Sequence, residues 1–216
     1  GLTMYPVEVG SSGGIGSLES TTVGGDAGGA IFLNISGILI NNGSINSDGS
    51  DAPDIGTYGG GGGAGGSIWI IANTITGGGS INASAGDGGD ASSNDGGGGS
   101  GGRIALYFTT NDTFTGDITA TKGTGPGSAT DGGDGTIFTH QLPTINGIIV
   151  NPLGFLSGDQ INLSSNVSGE WLQWVNFTVT SPNGTMYLNA SNATANNLTS
   201  WNSSGFDSSN PGTWDV

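Results

Sequence analysis

A unit of 36 to 37 residues recurs along the chain and limits what it can fold into more than any other feature. The first half of the unit reads GGAIFL from Gly28, GGSIWI from Gly65 and GGRIAL from Gly101. The second half reads GSINSDG from Gly43, GSINASAG from Gly79 and GDITATKG from Gly116. A fourth, partial unit begins at GDGTIF, with Ile137 in the place of Ile104. Apolar residues alternate within each unit, as in Ile31 and Leu33, Ile68 and Ile70, or Ile104 and Leu106. Period two predicts strands with one face inward. Because the same inward positions return in every unit, each stacks on its equivalent one coil away, and a continuous core arises from units too small to fold alone. The expectation is an all-β chain whose residues 24–142 form a parallel β-helix (β-solenoid). Ile45, Ile81 and Ile118 should align inside it, and the small residues Ser47, Ala83 and Ala120 should sit at a tight corner.

Glycine supplies 46 of the 216 residues. Aperiodic glycine at that level signals disorder, whereas periodic glycine signals turns and close contacts that exclude a Cβ. The runs YGGGGGAGG and NDGGGGSGG therefore read as close-packed extended or turn segments, with flexible loops as the alternative. Residues 1–23 precede the repeat as an N-terminal strand or cap segment. After about Pro143 polyglycine stops, and Asn, Ser, Thr and Trp rise. Short alternating segments separated by Asn-Gly and Asn-Pro-Gly turn signals predict a second all-β domain over 143–216. It is short beside the about 100 residues of a seven-strand sandwich, and its end falls inside the strand-like GTWDV, so at least one strand is expected to be missing. Gly1 in place of an initiator Met suggests a processed or excised piece of a larger product.

These residues resemble two groups of surface proteins. The GGGxGGxIxI…GxIxAxG unit is similar to the glycine-rich parallel β-helix repeats of large prokaryotic surface proteins. The stretch from TINGIIVNP through QWVNFTVTSPNGT to NPGTWDV resembles the immunoglobulin-like or PKD-like modules of archaeal cell-surface proteins. The resemblance implies a C-terminal immunoglobulin-like β-sandwich and a structural or adhesive role at the cell surface.

Charge narrows the partners. Seventeen acidic residues face two basic ones, Arg103 and Lys122, for a formal charge of −15. Without a basic patch nothing neutralises phosphates, so nucleic acid is excluded and an anionic membrane surface is disfavoured. No apolar run approaches the roughly 18 residues of a membrane span. Cysteine is absent, which removes disulfides and thiolate metal sites.

The N-glycosylation pattern Asn-x-Ser/Thr occurs at Asn34, Asn42, Asn82, Asn111, Asn162, Asn166, Asn176, Asn183, Asn189, Asn192, Asn197 and Asn202. Attached N-glycans would supply the hydration that charge does not, chiefly over 162–202, where the pattern is densest. Acidic glycine loops form a second candidate group, with Asp48, Asp51 and Asp54, then Asp87, Asp90 and Asp95, then Asp131 and Asp134. Calcium takes several oxygen ligands on such loops, but none of these matches an EF-hand or the nonapeptide calcium repeat, and solvated turns are the simpler reading. Alternation points Trp69 outward, with Phe32 one coil earlier, either to stack on a sugar or a subunit or to lie beneath a glycine-rich segment folded over it.

Catalysis has weak support. His140 is the lone histidine, and Arg103 and Lys122 stand apart without the acid cluster a β-helix polysaccharide lyase needs. The expected function is a non-enzymatic extracellular structural glycoprotein, a subunit or segment of a cell-surface filament, sheath or adhesin, with no cofactor and no metal. A carbohydrate-binding surface module is the alternative. The alternating LTMYPVEV offers an assembly strand, with Leu2, Met4, Val7 and Val9 pairing with the second domain of the next copy in a head-to-tail homopolymer. The rival account completes the sandwich from the same, longer chain.

Overall fold

The computed structural model describes residues 3–16, 22–110 and 113–142; from 144 onward it describes strand backbones alone, over 144–151, 161–168, 175–180, 186–192 and 201–203. Among the described residues every regular element is a strand. The chain divides into two compact units, Gly1–His140 and Gln141–Val216.

Alternation within the repeat yields the longest strands. β1 (Ala30–Ile40), β3 (Ser67–Gly77), β5 (Arg103–Phe108) and β8 (Thr136–Gln141) lie side by side in that order, and β6 (Thr113–Phe114) pairs with the end of β3. β2 (Ser44–Asn46), β4 (Ser80–Asn82) and β7 (Asp117–Thr119) form a second parallel sheet. The result is a parallel β-solenoid of about three turns. Register follows the sequence repeat: Ile31 pairs with Ile68 and Ile68 with Ile104, Leu33 with Ile70 and Ile70 with Leu106, Ile45 with Ile81 and Ile81 with Ile118. Ile68, Ile70, Ile75, Ile81, Ile104 and Leu106 are fully buried, each contributing about 1.5–3 kcal/mol. Ser47, Ala83 and Ala120 are buried at the corner, where their carbonyls accept the N–H groups of Gly66, Gly102 and Gly135. A larger side chain there would push the two walls of the coil apart.

The third wall of each coil is glycine. Positive φ occurs at Gly56, Gly77 and Gly127. Most other described glycines serve close approach instead, since an added Cβ at Gly25, Gly28, Gly63 or Gly66 would lie within about 2 Å of a backbone carbonyl oxygen. Successive N–H groups of the run 61–66 point in different directions with period three. Gly61 and Ala64 donate to Gly14 and Ser11, Gly62 and Gly65 to Gly97 and Ser100, and Gly63 and Gly66 to Ser50 and Ser47. That periodicity is the signature of a polyproline II-type helix, which turns once in roughly three residues and bonds only to its neighbours. Equivalent runs in adjacent coils repeat the pattern: Gly25 and Gly28 donate to Gly61 and Ala64, and Gly98 and Gly101 to Thr130 and Gly133. Facing segments 47–54 and 83–90 form an opposed row of the same lattice. Both glycine runs thus take the extended, close-packed form, and residues 10–16 join them as an additional strand of the bundle.

In the second unit, β9 (Thr144–Asn151), β10 (Ile161–Ser168) and β13 (Trp201–Ser203) form an antiparallel sheet in the order β13-β10-β9. β11 (Val175–Thr180) pairs antiparallel with β12 (Met186–Asn192). The segment GTWDV lies outside the described residues.

A Cβ added at Gly63 would lie 1.9 Å from the Asp26 carbonyl oxygen, whereas one at Gly14 would meet nothing within 4 Å. Gly63→Ala should therefore destabilise by about 1–3 kcal/mol through overpacking against backbone. Gly14→Ala should be neutral or stabilising by about 0.4–1 kcal/mol through the unfolded chain. Chemical denaturation of the two variants checks the contrast.

Candidate functional site

The acidic segments lie on the glycine-bundle wall, where period three governs side chains as well as N–H groups. Asp48, Asp51 and Asp54 project along one outer line. Their Oδ1 atoms accept the N–H groups of Ser84, Asp87 and Asp90 at 2.7, 2.7 and 2.8 Å, each 36 residues on. Asp87 repeats the contact one coil later, accepting the Thr124 N–H at 2.6 Å, and Ser84 Oγ accepts that of Thr121 at 3.3 Å. In such a helix every third N–H faces outward without a carbonyl neighbour, and a short carboxylate on the preceding coil satisfies it through a charge-assisted bond. Between the two acidic lines runs a cleft of about 300 Å³ lined by Asp51, Asp54, Asp87, Asp90, Thr124 and Pro126. Among the described residues no group of three or more His, Cys, Asp or Glu side chains has an arrangement that would hold a metal ion.

Both basic residues are paired at the surface. Lys122 Nζ lies 3.0 Å from Asp131 and Arg103 3.7 Å from Glu8. The Gly125 N–H and then Lys122 hold the Asp131 carboxyl below its usual range, and Asp131 in turn raises Lys122.

On the outer face of the long sheet an aromatic column crosses the coils. Phe32 pairs in register with Trp69, their ring centroids 4.4 Å apart. Trp69 meets Tyr5 edge-on at 5.4 Å, and Tyr5 stacks on Tyr107 at 6.0 Å. Tyr107 continues to Phe138 and His140, each at 5.7 Å. The cover over Trp69 is thus the N-terminal segment and not a glycine run. That segment is fastened at several points: Tyr107 Oη donates to the Met4 carbonyl at 2.6 Å, Ser67 Oγ to the Glu8 carbonyl at 2.5 Å, and Gly10 N–H to Gly28. Burial, followed by the neighbouring Tyr5 phenol, lifts the Tyr107 phenol from near 10 to about 12.

Of the expected assembly strand, Met4, Val7 and Val9 are exposed and belong to no strand, and Leu2 lies outside the described residues. Donation of this segment to another copy would break each fastening just described. The sequence pattern missed this strap because its partners, Trp69 and Tyr107, are distant along the chain and no local signal links them.

The sequons differ in accessibility. Asn34 is exposed on β1, and Asn42 is exposed with its Oδ1 accepting the Gly78 N–H at 3.3 Å. Asn82 is half-buried in a ladder, donating to Asn46 Oδ1 at 3.2 Å and accepting from Thr119 Oγ1 at 2.8 Å. Asn162 and Asn166 lie on β10, Asn176 on β11, Asn189 and Asn192 on β12, and Asn202 on β13. Asn111, Asn183 and Asn197 fall outside the described residues.

The geometry defines a parallel β-solenoid whose acids and aromatics bind coil to coil. No protein-family model, curated protein or solved structure matches the chain.

Two predictions follow from these roles. Asp51→Ala removes the acceptor for the Asp87 N–H and should cost about 1 kcal/mol, while Asp51→Asn retains a carbonyl oxygen and should cost less, as equilibrium unfolding would show. For Tyr107, a folded pKa above the unfolded one means that the unfolded chain loses the phenolic proton first as pH rises. Stability is then full below pH 10 and falls toward about 12. Lys122 acts in the same direction, so Tyr107→Phe should make the alkaline loss of stability shallower without abolishing it.

Proposed function

We propose that the chain is an extracellular, non-catalytic structural glycoprotein, a subunit or segment of a cell-surface filament, sheath or adhesin whose copies join head to tail. The observation that carries this reading is the edge of the first coil. Ile31 and Leu33 on β1 are only half-buried, while their stacking partners Ile68 and Ile70 are fully buried. Among the described residues β1 has a sheet neighbour on one side alone, which leaves an 11-residue edge for another copy to extend. Residues 3–9 lie on their own solenoid, so the contact we propose uses this coil edge and no donated N-terminal strand.

Further support comes from how the polar groups are used. Asp48, Asp51, Asp54 and Asp87 bond one coil to the next, and Arg103 and Lys122 pair with single surface carboxylates. The two antiparallel sheets of the second unit suit an immunoglobulin-like or PKD-like sandwich, and the dense sequons there suit a coat of N-glycans. Electron microscopy of native material should show polymers built from this subunit, and intact mass should exceed the bare 21.2 kDa. A soluble monomer with saturable glycan binding would instead support the carbohydrate-binding module.

A further inference from the structure

The strap formed by residues 10–16 shows what the outer surface of the glycine bundle accepts. It runs antiparallel in the groove between the first two glycine runs. Gly10 and Gly13 donate to the carbonyls of Gly28 and Gly25, and the strap's Ser11 and Gly14 carbonyls accept from Ala64 and Gly61. Every third residue is glycine, at 10, 13 and 16, where an added Cβ would lie 2.4, 1.8 and 2.2 Å from the carbonyl oxygens of Ala64, Gly61 and Tyr58. Recognition here rests on backbone bonds and on the absence of side chains on the inward line.

One coil on, the same groove recurs with no strand in it among the described residues. By the 36 to 37-residue repeat, Gly62 and Gly65 stand where Gly25 and Gly28 stand, and Gly97 and Ser100 where Gly61 and Ala64 stand. The Gly97 and Ser100 N–H groups and the Gly62 and Gly65 carbonyls have no partner among the described residues, although the bonds that hold these runs together are all made. We infer that this groove binds an extended glycine-rich segment of G-x-x-G-x-x-G pattern from another polypeptide, in the polyproline II conformation. This is strand addition transferred from a sheet edge to a glycine bundle. It is independent of the coil-end contact proposed above.

The test uses the full chain and a capped peptide Gly-Ser-Ser-Gly-Gly-Ile-Gly, which copies residues 10–16. Titration followed by NMR should move the Gly97 and Ser100 amide resonances and slow their hydrogen exchange by about tenfold at saturation. A peptide with Ala in place of the strap's Gly13 should lose binding, because its Cβ meets a carbonyl, while one with Ala in place of Gly14 should bind as the parent does. Ser100→Pro in the protein removes one donor at a position whose N–H is otherwise unused, and should abolish the response at Gly97. Absence of saturable shifts would overturn the inference. So would equal binding of the two alanine peptides, or shifts confined to Gly61 and Ala64, which would mean exchange with the resident strap.

Discussion

Close approach of backbone to backbone is the constraint on which the rest of this structure depends. On the glycine wall, chains lie near enough for N–H groups from one run to reach carbonyls on neighbours in different directions, with bonds of 2.7–3.0 Å between the runs. A methyl group on an inward line would occupy the space of a carbonyl oxygen, as at Gly63, Gly96 and Gly123. A wall built this way has no hydrophobic core of its own. It is held by hydrogen bonds whose net worth is about 1 kcal/mol each, so its cohesion comes from their number and mutual alignment.

The apolar strands and the glycine wall need each other. Stacked isoleucines give the driving force and set the coil repeat, and that repeat brings each glycine run level with the next. Asp48, Asp51 and Asp54 belong to the same scheme, because they satisfy outward N–H groups that no carbonyl reaches. The strap does for the bundle's exterior what those carboxylates do, and it covers Trp69 and Tyr107 as it continues across the sheet. Asp48, Asp51, Asp54 and Asp87 and the glycine runs, which look unrelated in the sequence, thus serve one requirement, acceptors for the N–H groups of packed extended helices.

Strand columns were legible because period-two alternation and the 36 to 37-residue repeat act together. Alternation says which side chains face inward, and the repeat says which of them stack, so the columns through Ile68, Ile70 and Ile81 follow directly. The small corner residues were legible for the same reason. Polyglycine carries no such pattern: a flexible linker and a hydrogen-bonded helix are written in the same letters, and only neighbours supplying acceptors decide between them. The aspartates were visible as candidates but not as N–H acceptors, since that role depends on the coil rise. Accessibility of the sequons at Asn34 and Asn82 likewise differs through ladder contacts made by residues 36 or 37 positions away.

By itself the sequence determined that the chain is built of strands, that they repeat as coils, and which isoleucines and leucines line the core. These are consequences of side-chain spacing, which is a local property. The tertiary structure alone decided that glycine forms a bonded bundle, that its aspartates bridge coils, that Tyr5 lies between Trp69 and Tyr107, and that one groove is filled while its neighbour is unfilled among the described residues. Those outcomes turn on where backbone groups point after the coils have stacked, and a residue's identity does not encode the direction of its N–H.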